Sequence, residues 1–137
     1  MELIANINQP QNEHRVILTN YLITLMCICD QLRINHWQTE CSAEHKLTDD
    51  IESTLREKLD YLGEVTMGNF DRIKFNRQNI LLEDIEVTST STILAFICKS
   101  TKETLKALES SEYNDIINVL EDILSIITQG IYLSKLK

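Results

Sequence analysis

The chain has 137 residues, of which 43% are hydrophobic and 25% are charged, and its formal net charge is −8. These values suit one domain with one core, and they exclude a disordered chain or a membrane protein by composition. The excess of acidic residues also disfavours binding of DNA or of an anionic membrane through the bulk of the surface.

Four long helices are predicted, because one proline and three glycines supply too few turn residues for a sheet-rich fold. Residues 1–12 are expected to form a short polar lead-in. The first helix then runs from about Glu13 to Trp37, and its apolar side chains recur at spacings of three and four, as on one helical face. This face comprises Leu18, Leu22, Leu25, Cys29, Leu32 and His36.

The second helix is predicted over residues 43–67, with Ser42 as its N-cap and Gly68 as its boundary. Residues 69–87 then make a connection long enough to cross the length of a bundle, with a short helix expected around residues 78–84. The apolar face of the second helix comprises Ile51, Leu55, Leu59 and Leu62.

The third helix is predicted from about Ser91 to Leu108 and the fourth from about Tyr113 to Leu136, with a tight turn between them. The fourth helix is apolar on more than one side, which predicts burial against the bundle and against another subunit. A short turn, a long crossover and a second short turn are typical of one architecture. The fold class is therefore predicted as all-α: an antiparallel four-helix bundle, ferritin-like, with residues 1–137 as a single domain.

Compartment and thiol chemistry are also predicted from the sequence. No segment reaches the ~18 uninterrupted apolar residues that a membrane span requires, and the N-terminus lacks the basic region of a secretory signal. A cytoplasmic protein is therefore expected, in which the cysteines are buried, reduced thiols rather than disulfides. The cysteines are Cys27, Cys29, Cys41 and Cys98.

A second face of the second helix carries residues with metal-ligand chemistry. At about 100° per residue, His45, Asp49, Asp60 and Glu64 fall on one side of the helix, away from its apolar face. Imidazole and carboxylate groups together suit Fe²⁺, Zn²⁺ or Mn²⁺ better than soft metals. A solvated surface face is the alternative interpretation. The functional interpretation requires a metal held across a subunit boundary.

The stretch from Ile34 to Glu64 resembles the ferroxidase region of the Dps family, the miniferritins that form hollow shells. In that family a His-Trp pair ends the first helix, as His36-Trp37 does here. The second helix then carries a His, an acid four residues later, an Asp eleven residues after that acid and a Glu four residues after the Asp. The gap from His36 to His45 is shorter than in typical Dps proteins, and the lysine-rich tail is absent. Ferritin-like proteins of large phages also resemble this stretch. The resemblance implies five metal ligands: His36, His45, Asp49, Asp60 and Glu64.

By this resemblance the first three ligands come from one subunit and Asp60 and Glu64 come from its two-fold partner, with iron (Fe²⁺/Fe³⁺) between them. His36 and Glu64 bind the first iron and Asp60 bridges, while His45 and Asp49 complete a weaker site or hold a water. The implied protein is a ferroxidase that oxidises Fe²⁺ with peroxide or dioxygen and stores or detoxifies the product. It is a homo-oligomer that contains a C2 dimer, and the family forms shells of twelve subunits.

Two other functions fit the same sequence. A non-catalytic, oligomeric helical bundle could serve as an interaction module, for instance a phage-encoded binder of a host protein, with a merely polar face on the second helix. A di-iron oxygenase with its site inside the bundle is disfavoured, because it needs Glu-x-x-His motifs that the sequence lacks. Neither a membrane nor DNA is an expected partner, since the chain is acidic and residues 1–12 contain no Lys or Arg.

Overall fold

The computed structural model describes the backbone of residues 2–136 and the side chains of residues 13–136. Within this range the secondary structure consists of helices and turns, without strands. This confirms the all-α prediction. The helices are α1 (Glu2–Gln38), α2 (Ser42–Phe70), α3 (Thr90–Leu108) and α4 (Asn114–Ser134).

Each helix packs against two neighbours, so that α1 and α4 face each other diagonally, as do α2 and α3. The long crossover, residues 71–89, begins beside Arg15 and ends beside Gln38, and it therefore runs along the length of α1. Neighbouring helices consequently run in opposite directions. This confirms the antiparallel bundle with a long crossover, a connectivity that ferritin-like bundles also have.

The core consists of the apolar faces predicted from the spacing of hydrophobic residues. Leu25 and Leu32 of α1 and Leu55 of α2 have no exposed surface, and Ile51 and Leu62 are also buried. On α4, Ile117 and Ile126 lie outside the core and are half-buried where the helix meets its neighbours, whereas Tyr132 and Leu133 near its end are exposed. The bundle therefore accounts for most of the apolar character of α4 without a second subunit.

Several predicted helix boundaries were wrong. α1 begins at Glu2, so the backbone of the expected lead-in is helical from that residue, while the side chains of residues 1–12 lie outside the described part. Cys41 rather than Ser42 is the N-cap of α2. α2 continues through Gly68, where no positive φ breaks the helix, and ends before Asp71, whose φ of 62° cannot continue it.

The short helix expected around residues 78–84 is also absent from the crossover, which has only a turn at residues 85–87. Polar side chains of α1 hold this segment in a non-helical path. Gln31 donates to the Glu83 carbonyl (2.7 Å) and accepts from the Glu83 N–H (2.9 Å), and Asn35 donates to the Thr88 carbonyl (3.0 Å). These bonds satisfy the backbone groups that a helix would otherwise have paired.

All four cysteines are free thiols, as predicted, but they are not all buried. Cys29 is buried, and this burial raises the pKa of its thiol to about 12. Cys27 and Cys98 are half-buried, whereas Cys41 is exposed at the start of α2. Burial was therefore correctly predicted only for Cys29.

By length and composition alone, two helical segments of the described chain could cross a membrane, Glu13–Gln38 and Asn114–Ser134. Core helices of soluble bundles meet the same criterion, so this is weak evidence for a membrane protein. In both segments the apolar stripe faces the bundle core, where Leu25 and Leu32 pack with Leu120 and Ile123.

Candidate metal-binding face

His36 and His45 face each other across the short link between α1 and α2. Their rings stack with centroids 3.8 Å apart and planes 20° apart. His36 Nδ1 lies 2.6 Å from the His45 carbonyl oxygen, and His45 Nδ1 lies 2.9 Å from the His36 carbonyl oxygen. Since a carbonyl can only accept, each Nδ1 is assigned as the protonated nitrogen.

This reciprocal bonding determines which ring nitrogens are free for other chemistry. With both Nδ1–H groups donating to carbonyls, each neutral ring keeps its lone pair on Nε2, the arrangement that metal-binding histidines commonly have. His36 is half-buried and His45 is exposed. The short link at residues 39–41 produces the pairing, since it leaves the last turn of α1 next to the first turn of α2.

Asp49 lies one turn beyond His45 on α2, but its nearest charged partner is Arg33 of α1. Arg33 Nη2 lies 3.1 Å from Asp49 Oδ1. A guanidinium at this distance opposes the binding of a second cation by the same oxygen. Arg33 would therefore compete with a metal ion for Oδ1 of Asp49.

Asp60 and Glu64 are exposed and line a groove of about 580 Å³ between α1 and α2, together with Met26 and Phe75. The helical rise places Asp60 ~16 Å further along α2 than Asp49. Within residues 13–136 of one subunit, no three His, Cys, Asp or Glu side chains are grouped so that they could hold a metal ion. The five predicted ligands therefore separate into a histidine end and a carboxylate groove.

Sequence reasoning missed a buried carboxylate next to this face. Glu52 is only 4% exposed and accepts from Arg33 (2.9 and 3.2 Å) and from Arg56 Nε (2.9 Å). Arg56 in turn donates to Asp30 (2.7 Å), so five alternating charges connect α1 to α2. The sequence does contain a signal for this buried carboxylate. Glu52 directly follows the core residue Ile51 on α2, and α1 carries an arginine, Arg33, that can pair with it.

This network holds Glu52 in its charged form. Burial acts to raise the pKa of Glu52, but the hydrogen bonds from Arg33 and Arg56 outweigh burial, so that the pKa lies below its usual value. The hydrogen bond to Glu52 raises the pKa of Arg33, and the hydrogen bonds to Asp30 and then Glu52 raise the pKa of Arg56. Glu52 is therefore a fixed anion that ties the two helices together.

Comparison with known proteins identifies one family. A model of DUF5856, a family of unknown function, matches residues 36–133, which include the five predicted ligands and Glu52. No curated protein and no solved structure matches the chain. Because the match covers more than half of its length, the chain belongs to the DUF5856 family.

Proposed function

We propose that the protein is a Dps-like iron-binding ferroxidase, a cytoplasmic homo-oligomer that oxidises Fe²⁺ at sites shared between two subunits. The observation that supports this best is the stacked pair of His36 and His45. Both Nδ1 atoms are bonded to backbone carbonyls, so both Nε2 atoms are available as neutral ligands to a cation. Nitrogen and carboxylate donors together suit Fe²⁺ as the substrate.

The separation of the ligands along α2 supports a shared site. The histidine end of one subunit supplies nitrogen donors, and the partner subunit supplies carboxylates from its exposed Asp60 and Glu64. Asp49, with Arg33 on one oxygen, contributes only to a second, weaker position. The proposal includes storage or detoxification of the ferric product inside an oligomeric shell.

The redox step balances with peroxide as the oxidant. Two Fe²⁺ ions each lose one electron, and one hydrogen peroxide takes up these two electrons and two protons to give two water molecules. Open coordination positions at each iron are needed for this, and a small number of protein ligands leaves them available. Any protection of DNA would then be chemical, because the acidic surface provides little counterion release for duplex binding.

A non-catalytic interaction module remains the second candidate, and one observation favours it. Trp37 is 71% exposed, Leu81 is 81% exposed and Val87 is 70% exposed, all on the side of the bundle where the crossover passes over α1. Large apolar side chains at this exposure are typical of protein-binding surfaces. Under this hypothesis the polar face of α2 is only solvated.

Anaerobic Zn²⁺ titration and Fe²⁺ oxidation with peroxide distinguish the two candidates. Asp60→Asn and Glu64→Gln should each reduce metal affinity and oxidation rate by about tenfold or more, because each removes a ligand charge. Both residues are exposed, so folding should be unchanged. Asp50→Asn is the matched control, since Asp50 pairs with Lys46 on the solvent side of α2 and should behave as wild type.

Two results would contradict the ferroxidase proposal. One is a wild-type protein that oxidises Fe²⁺ no faster than buffer and takes up no Zn²⁺. The other is equal activity in all three variants. Either result would leave the interaction module as the better account.

A further inference from the structure

The crossover carries its charges in two blocks of opposite sign on either side of an apolar centre. Its first half is basic and its second half is acidic, and the residues between them are large and apolar. Arg15 of α1 adds a further cation to the basic half, because its guanidinium donates to the Arg72 carbonyl (2.8 Å). The basic half contains Arg72, Lys74 and Arg77, which outnumber its one acid, Asp71. The centre contains Ile80, Leu81 and Leu82, and the acidic half contains Glu83, Asp84 and Glu86.

No ion pair with residues 13–136 neutralises these charges. Across residues 13–136, the ion pairs of the structure lie elsewhere and involve none of the seven charged crossover residues. Glu83 accepts from the Thr88 hydroxyl and Asp84 accepts from the Gln38 amide, both of which are neutral. Two blocks of opposite charge, neither of them paired within the described side chains, therefore lie on one surface.

The centre between the two blocks contains the most exposed apolar side chain of the crossover, Leu81. Leu81 projects almost fully into solvent, and Ile80 and Leu82 are also exposed. Trp37 and Leu82 line a common groove with Val87, which extends the apolar area along the end of α1. An apolar centre with charged flanks is the usual composition of a protein interface.

We propose that this surface binds the same surface of a second copy of the chain, with a two-fold axis near Ile80 and Leu81. A two-fold interface is formed by one patch that must be complementary to itself. Charges that change sign about an apolar centre meet this condition, since rotation places the basic half of each copy on the acidic half of the other. Lys74 and Glu86 lie equally far from Ile80 along the chain, and they would form two symmetric ion pairs.

A nucleic acid fits this surface less well than a second copy does. Phosphates would gain from Lys74 and Arg77, but the acidic block beside them repels a polyanion, as does the net charge of −8. The second copy uses both blocks and covers the apolar centre as well.

The same two-fold symmetry would also bring the two parts of the proposed metal site towards each other. The acidic half is bonded to Gln38, two residues from His36, and Phe75 of the basic half lines the groove of Asp60 and Glu64. Antiparallel crossovers would therefore place the histidine end of one subunit towards the carboxylate groove of the other.

Sedimentation velocity on single and mixed variants tests this interface without any metal. Lys74 and Glu86 are exposed and have no hydrogen bond or ion pair to residues 13–136, so changing them should not affect folding. Lys74→Glu alone and Glu86→Lys alone each place like charges opposite each other twice per dimer. Each should raise the dissociation constant of the dimer about tenfold or more at low salt.

Mixing the two variants should restore association close to that of the wild type. In the mixed dimer, Glu at position 74 of one copy meets Lys at position 86 of the other, and the remaining pair is the native one. Leu81→Asp should weaken the dimer, and mixing this variant with either charge variant should not restore association. The reason is that the substitution lies at the two-fold axis, where no change at position 74 or 86 can compensate for it.

The proposal would be overturned if the wild-type protein stayed monomeric at tens of micromolar. It would also be overturned if the single variants associated as tightly as the wild type, or if the mixture of the two variants associated no more tightly than each variant alone. A monomeric wild type that binds a short oligonucleotide at physiological salt and loses it in Lys74→Glu would instead assign the basic half to nucleic acid.

Discussion

Removing the buried charge of Glu52 should destabilise the bundle more than any other conservative change on α2. In Glu52→Gln the size is kept, but Arg33 and Arg56 lose the carboxylate to which both now donate. The new amide group also brings an N–H donor against two cations, where it has no acceptor. The substitution therefore breaks the connection between α1 and α2 at its centre.

The magnitude depends on how much water can replace the lost partner. Breaking a fully buried ion pair costs about 3–5 kcal/mol. The Arg33 and Arg56 side chains are 27% and 43% exposed, and they keep Asp49 and Asp30 as partners. Partial hydration should lower the cost, and we expect a loss of about 2 kcal/mol in the free energy of unfolding.

The effect should depend on pH with a defined sign. The pKa of Glu52 is lower in the folded protein than its ordinary value of 4.5, so the charged form stabilises the fold. This contribution is complete above pH 4.5 and is lost as the pH falls through the folded-state pKa. The difference between wild type and Glu52→Gln should therefore be largest near pH 7 and should shrink below about pH 4.5.

Urea denaturation followed by circular dichroism measures this difference. Glu57→Gln is the matched control, because Glu57 lies on the same helix, is exposed and should change stability by no more than about 0.5 kcal/mol. If Glu52→Gln at pH 7 is as stable as Glu57→Gln, the five-charge network contributes nothing and the reasoning is wrong.

Two further changes test the core and α2, and both can be measured by the same urea titration. Tyr21→Phe removes the buried bond from the Tyr21 hydroxyl to Thr101 Oγ1 (2.7 Å), while Thr101 keeps its bond to the Ile97 carbonyl, and should cost about 1 kcal/mol; no loss would mean that this bond contributes nothing net to stability. Gly68→Ala should stabilise by about 0.5 kcal/mol, because Gly68 is helical and an added Cβ would meet nothing within 4 Å; a loss of stability would show that the last turn of α2 needs glycine.

The sequence by itself determined the number of helices, their apolar faces and the long crossover. These features follow from local rules, since helical residues that share a face recur every three or four positions. Leu18, Leu25 and Leu32 were assigned to the core of α1 on this basis, and all three are completely buried. The scarcity of glycine and proline excluded sheets for an equally local reason.

Only the tertiary structure decided the path of the crossover and the partners of the charged residues. Gln31 and Asn35 replace helical bonds in the crossover, and Arg33 rather than a histidine is the partner of Asp49. Glu52, which belongs by its chemistry on the surface, is buried because two arginines reach it from different helices. Such pairings join positions far apart in the chain, and their energies depend on distance and burial, which no spacing within a single helix specifies.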